Sequence, residues 1–363
     1  MKLLVVKPEE LGFDKKRLQM ADDIIRRGLD DGLYPGAVYL IGGEAGILEP
    51  QCFGYTRPSD GQPVQPDTVF DIASLTKPVA TAASLLILIE QGIVEFEQLL
   101  SNYLPNSNLT HLSKANIFHL LTHTSGLPAW KDFYTAGQSP NDVIEGILST
   151  HLDNPPGEVY TYSCLGYILL GEIVRITSGM RLDEFAERNI FGPLGMRDTV
   201  FNPSGELISR TAATANCPMR DGLLAGKVHD GNAWAMGGVS GNAGLFSTAL
   251  DLARFAVILL SGGCGVLPEA GVRLMFRNLL DPSIGGHTAG WFIYPNAMLP
   301  DGNLQSSGTI GHTGFTGVSM AIDDTCDIFV ILLTNRVCRA DDGMEFRITR
   351  RLFHTTAAQA MLR

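Results

Sequence analysis

TVFDIASLTKPVATAASLLILIEQG, Thr68 to Gly92, is the stretch on which the fold turns. Val69-Phe70-Asp71-Ile72 is apolar but for one acid, as a largely buried strand is. A mainly apolar segment from Val79 to Ile89 follows and stops at Gly92, which predicts a helix buried on most sides. Ser74 and Lys77 fall in its first turn, where residues three apart are neighbours. Pro78 also falls there, where a missing N–H costs least. A serine hydroxyl is a weak nucleophile until a base takes its proton, and an amine held beside it can be that base or part of it. The backbone N–H groups of a helix start can help to bind an oxyanion. Ser-x-x-Lys alone is a short motif, equally readable as an N-cap and a solvated lysine.

Outward from this stretch the chain reads as two kinds of region. Upstream, Asp14 to Asp31 has a helical apolar face of Leu18, Ala21, Ile24, Ile25 and Leu29. Ala37–Ile41 and Ile47–Phe53 read as strands, and Arg57 to Asp67 as a loop. Downstream, Gly92 to about Met236 is mainly helical, including Ala115–His123, Tyr162–Gly179 and Leu182–Ile190. The glycine-rich MGGVSGNAGLFS, Met236 to Ser247, reads as a wall passing close to a ligand, and Ala249 to Leu260 as a helix. Trp291–Tyr294, Thr309–Ile322 and Cys326–Thr334 read as strands, and Glu345–Met361 as a closing helix. The expected fold is α/β (α+β): an antiparallel sheet flanked by N- and C-terminal helices, with a mainly helical subdomain inserted. Residues 1–73 and 237–363 would form the sheet subdomain and 74–236 the helical one, with the site in the cleft between them.

Composition narrows the partners. Of 363 residues 45% are hydrophobic and 18% charged, which suits a well-buried globular protein. The net charge is −11 and no basic run exists, so neither nucleic acid nor an anionic membrane is the expected partner. The unbroken apolar runs fall short of a membrane span. Leu3 to Val6 is too short for the core of a signal peptide, and the six cysteines show neither C-x-x-C pairing nor zinc spacing. Free thiols in a reducing cytoplasm are the simplest account. His119 and His123 stand four apart without the Glu of a zinc-protease motif, so they read as locally hydrogen-bonded. No metal and no cofactor are expected. G-x-S-x-G, Walker A and G-x-G-x-x-G are all absent.

Four stretches together are specific. They are Ser74-Leu75-Thr76-Lys77; Leu120 to Pro128, LLTHTSGLP; Pro156-Gly157 through Tyr162-Ser163 to Gly166-Tyr167; and Gly311-His312-Thr313-Gly314. Gly241 to Thr248 belongs with them. In this order and spacing the chain resembles the serine β-lactamase and penicillin-binding-protein superfamily, in its class C-like branch of esterases, D-amino-acid peptidases and lactamases. The resemblance implies a β-lactamase/transpeptidase-like fold and a serine hydrolase working through an acyl-enzyme. Ser74 would be the nucleophile, Lys77 its partner, and Tyr162 base toward Ser74 and acid toward the leaving group. Tyr160 lies two residues from that register. His312 would join the site where many members have Lys, and the N–H groups of Ser74 and Phe315 would form the oxyanion hole. Cys164, Thr313 and Gly314 would touch substrate, while His123 and Ser125 would hold the loop behind the site.

Two departures shape the expected substrate. Tyr162-Ser163-Cys164 stands where the family often has Tyr-x-Asn, and a thiol cannot offer an amide's donor. His312 replaces a fixed charge by a titratable one, which predicts a limb in the pH–rate profile near ~6.5. The expected substrate is therefore a carboxylic ester or small amide, with weak or no β-lactam turnover. The alternatives are a true β-lactamase, a D-Ala-D-Ala-type carboxypeptidase, and a non-catalytic binding or sensing module.

Overall fold

The computed structural model describes residues 3–57, 61–220, 222–300, 306–339 and 343–362. Part of the expected loop at 57–67 and the first two residues of the N-terminal stretch read for a signal lie outside them. Helix α1 spans Lys15–Asp30, capped by the Asp14 carboxylate, which accepts from the N–H groups of Lys16 and Arg17. Strands β1, Gly36–Gly43, β2, Gly46–Ile47, and β3, Gln51–Gly54, follow. Helix α2 is Ala83–Glu90, α3 Cys164–Ser178 and α4 Ala249–Leu260. Strands β4, Phe292–Ile293, β5, Ile310–Gly314, β6, Val318–Asp323, and β7, Ile328–Thr334, complete the main sheet, and helix α5, Met344–Gln359, closes the fold.

The seven strands run in the order β2-β1-β7-β6-β5-β4, with β3 also on β1. All pairs are antiparallel, and the N- and C-terminal ends meet at β1–β7, where Ala37 pairs with Thr334. Both faces are covered, so β1 and β7 are apolar on alternate residues in both directions. Ala37, Tyr39, Ile41, Val330 and Leu332 meet α1 and α5; Val38, Leu40, Phe329, Ile331 and Leu333 join the larger core with α4 and the helical region. Fully burying each large apolar side chain contributes about 1.5–3 kcal/mol.

Three expectations need correction. Thr309–Ile322 is not one strand: it breaks at Phe315–Gly317, and Gly314 faces Val318 across a hairpin. Gly317, at φ 104°, makes the turn. Ile47–Phe53 is likewise interrupted, at the residues around Pro50. Lastly, Ala73–Glu90 is long and apolar enough to cross a membrane, contrary to the reading of the runs; 83% of it is buried inside the protein, as its core helix.

Candidate active site

Ser74 does not sit in a regular α-helix. Ala73–Leu75 is a 3-10 turn, Lys77–Ala82 a π-helical turn, and α2 begins only at Ala83. Such widened turns concentrate at functional sites. Ala73 is held at φ 45°, a region costly for a residue with a Cβ. Its N–H donates to the Asp71 carboxylate at 2.8 Å, and the N–H of His229 donates to the same carboxylate at 2.7 Å. Burial nevertheless raises the Asp71 carboxyl to about 6. Thr316 Oγ1 donates to the Asp71 carbonyl at 2.7 Å, which ties the β5–β6 turn to the Ser74 turn.

The Lys77 side chain is fully buried and its Nζ has three partners. Nζ lies 3.0 Å from Ser74 Oγ, 2.9 Å from the Asn242 carbonyl and 3.5 Å from Cys164 Sγ. It also stands 5.0 Å from the centre of the Tyr162 ring. Ser74 itself is partly exposed, as a nucleophile must be. Tyr160 points elsewhere: its hydroxyl accepts from Asn296 Nδ2 at 2.9 Å.

Burial, then the neighbouring Cys164, pushes the Tyr162 phenol well above the usual 10, and the Ser74 hydroxyl beside it offsets only part of this. That direction favours the protonated phenol in the free protein, which suits the acid half of the expected role rather than the base half. Burial likewise raises the Cys164 thiol, against the pull of Lys77.

His312 is fully buried, stacked on Phe292 at 4.3 Å between ring centres and 5.9 Å from Tyr162. Its Nδ1 donates to the Thr313 carbonyl at 2.9 Å and its Nε2 has no partner. Burial first, then the nearby Lys77 and His287, holds the ring neutral, well below its ordinary 6.5. The expected limb near neutrality therefore has no source here, because the imidazole sits in an aromatic box rather than in solvent.

Gly314 explains how β5 reaches the serine. A Cβ there would stand 2.4 Å from Val318 Cγ2, 2.6 Å from the Ile72 carbonyl and 3.2 Å from Ala73 Cβ. Phe315 follows at once, its carbonyl taken by Arg336 Nη2 at 2.9 Å and its exposed ring stacked on His229. Thr313, just before Gly314, is partly exposed. Gly314→Ala is expected to force β5 away, lowering kcat for an ester by ~10²-fold and stability by about 1–3 kcal/mol. A wild-type kcat and melting temperature would show that the close approach is dispensable.

The sequence placed Asn242 in a wall close to a ligand and gave it no role of its own. Its carbonyl holds Lys77, and its side chain is locked by Ser240 Oγ at 2.7 Å and Asp230 at 3.2 Å. The glycine-rich wall was the only signal. Gly241 presses on α3, where a Cβ would stand 2.0 Å from the Tyr167 carbonyl and 2.8 Å from Gly171 N. Behind this wall lies a groove of about 440 Å³ lined by Glu172, Arg175 and Arg181, which does not include Ser74. Among the described residues no group of three or more His, Cys, Asp or Glu is placed to hold a metal ion. The six cysteines form no disulfide with one another.

A sheet joined at its chain ends, a helical insert, and a serine and buried lysine facing a Tyr-bearing helix start define the serine β-lactamase and penicillin-binding-protein superfamily of serine hydrolases. The chain belongs to the Beta-lactamase family, whose model matches residues 21–352. Proteins of Salmonella enteritidis and Salmonella typhimurium, each provisionally named a D-alanyl-D-alanine carboxypeptidase, are 33% identical over 92% of this chain and 86% of theirs. Among solved structures, EstCE1, described as a hydrolase with promiscuous acyltransferase activity, aligns with TM-score 0.77 and 21% identity over 95% of this chain and 98% of its own. A class C β-lactamase from Rhodobacter sphaeroides aligns with TM-score 0.72 and 19% identity over 94% and 97%. At these identities the structural likeness concerns the fold.

Proposed function

We propose that the protein hydrolyses carboxylic esters or small amides through an acyl-enzyme on Ser74, with weak or no β-lactam turnover. The observation that carries this is the shell of Lys77: Nζ reaches Ser74 Oγ at 3.0 Å, and its third partner is the Cys164 thiol at 3.5 Å rather than a side-chain amide. Ser74 Oγ attacks the substrate carbonyl, its proton passing to the Lys77 amine. The N–H groups of Ser74 and Phe315 hold the oxyanion. Tyr162, kept in its phenol form by burial, protonates the departing alkoxide or amine and is reprotonated through Lys77. Water then repeats the sequence on the acyl-enzyme, releasing the acid and restoring Ser74.

An amide or lactam leaving group needs more help than an alkoxide, because it must be protonated as it leaves and its N–H or carbonyl held. Cys164 supplies only weak versions of those contacts. The test is kcat/KM for a p-nitrophenyl ester and a chromogenic cephalosporin on wild type and Cys164→Asn. The wild type should favour the ester strongly. Cys164→Asn should move the ratio toward the cephalosporin by roughly 1–2 kcal/mol, one hydrogen bond. Rapid cephalosporin turnover by the wild type would sink the substrate assignment, and D-alanyl-D-alanine amides in the same panel would expose the activity for which the relatives are named.

A further inference from the structure

We propose that His123 is the positioning residue that holds Tyr162 in register with Ser74, and that it does so only as a neutral imidazole with Nδ1 bare. The inference rests on the catalytic reading of Tyr162 given above.

The two peptide N–H groups on either side of Tyr162 both end on His123. Thr161 N–H donates to the His123 carbonyl at 2.9 Å, and Ser163 N–H donates to His123 Nδ1 at 3.1 Å. One residue thus grips the backbone before and after the tyrosine, and its ring lies 4.5 Å from the tyrosine ring. Such a grip needs the carbonyl and the side chain to face the same way, and His123 is indeed in the left-handed region, at φ 60°. The following loop extends the clamp, since the Ala129 carbonyl accepts from Cys164 N–H at 2.9 Å and the Pro128 carbonyl from Ser163 Oγ at 2.7 Å. Gly126 anchors that loop from behind: a Cβ would stand 1.9 Å from the Asn154 carbonyl.

A backbone N–H can only donate, so Nδ1 must carry no proton and the ring's single proton is on Nε2. A second proton would set N–H against N–H and break the grip. The surroundings oppose that protonation. The ring is 1% exposed and its Nε2 has no partner. It is faced by Tyr160 at 6.1 Å, Tyr167 at 4.9 Å and His287 at 4.8 Å between ring centres. Burial, with His287, Lys77 and His312 nearby, holds His123 well below 6.5. Its position is thus defined by acceptor geometry and by a neutral state together.

Asparagine separates this role from mere packing. Its Oδ1 sits two bonds from Cβ, as Nδ1 does; it tolerates left-handed backbone; and it cannot be protonated. Ester hydrolysis is measured per active site, titrated with a fluorophosphonate, across pH 4–9 on wild type, His123→Asn, His123→Ala, Tyr162→Phe and the double variant His123→Ala/Tyr162→Phe. The expected result is a fall in kcat of ~10²-fold with little change in KM for His123→Ala, and kcat within a few fold of wild type for His123→Asn. The acid limb of kcat should move to lower pH in His123→Asn. In the Tyr162→Phe background, His123→Ala should cost nothing further. If His123→Ala does not fold, the rate and acid limb of His123→Asn decide alone. Wild-type kcat in His123→Ala, loss as deep in His123→Asn, an unmoved acid limb, or additive losses in the double variant would each overturn the proposal. Full activity in Tyr162→Phe would instead remove the reading of Tyr162 on which it rests.

Discussion

Ser74→Ala is expected to abolish fluorophosphonate labelling and to lower ester turnover by at least ~10³-fold, the scale seen when an activated nucleophile is removed. The variant should melt with the wild type. Ser74 is partly exposed, and without its hydroxyl the buried Lys77 keeps the Asn242 carbonyl and the Cys164 thiol, so the loss of its contacts to Lys77 and Tyr162 should cost little. Lys77→Met provides the contrast. Turnover should again fall, by ~10²–10⁴-fold for want of the base. Stability should fall as well, because the Asn242 carbonyl loses its donor inside the protein, at about 1–3 kcal/mol. Equal melting of the two variants would show that Lys77 is not the tie between the glycine-rich wall and the serine turn. Retained ester turnover in Ser74→Ala would show that the nucleophile lies elsewhere.

The second large effect is on stability in acid. His287 and His354 are fully buried, and burial carries each down to about 3. His229 is lowered to about 4, chiefly by burial and then by Arg220, while His123 and His312 are held well below 6.5. A histidine whose folded pKa is depressed contributes nothing unfavourable above the unfolded value of ~6.5. Below it the unfolded chain takes protons that the folded one refuses, so stability drains away toward the folded pKa. At pH 5 this amounts to about 2 kcal/mol for each of His287 and His354, and the other three act in the same direction. Asp71, raised to about 6, works the other way: its share is present in acid and lost as pH rises through 6. The Asp251 carboxyl is also raised and His119 also lowered, each by burial; two carboxyls do not offset six imidazoles, and a domain has only about 5–15 kcal/mol to lose. Unfolding on acidification should therefore begin below pH 6.5 with a slope of several protons, followed by circular dichroism in fixed urea. His354→Gln, remote from the serine and bonded to Ser319 Oγ at 2.8 Å, should move the midpoint to lower pH. A protein equally stable at pH 7 and 4.5 would contradict this outright.

What the sequence made legible was whatever side-chain identity carries. Continuous apolar runs in Ala37–Ile41 and within Cys326–Thr334 gave the sheet. Ser74 and Lys77 stood three apart, Tyr162 and Gly314 were joined to them by the family resemblance, and the structure brings the four together. Much of what holds them is backbone, and backbone has no letter. The Asn242 carbonyl on Lys77, the carbonyl of His123 on Thr161, and the N–H of the strained Ala73 on Asp71 could not be read from residue types. The π-turn at Lys77 was hidden because the apolar run into α2 looks like any buried helix. At Gly314-Phe315-Thr316-Gly317 two glycines marked a turn, but the apolar residues around them read as one strand. His312 was read as titrating near neutrality because its burial depends on Phe292 and Tyr162, which come from distant segments.

The β1–β7 pairing has a consequence for the order of events during synthesis. The strand that pairs with Ala37 ends at Thr334, so the sheet cannot close until nearly the whole chain has left the ribosome. Gly314 and Phe315 reach Ser74 only on that late hairpin. On the proposed mechanism a nascent chain would carry its nucleophile early and receive the Phe315 half of its oxyanion hole last. A truncated product that lost the final strands would then bear the serine, the lysine and the tyrosine with only the Ser74 N–H to stabilise the charge they create.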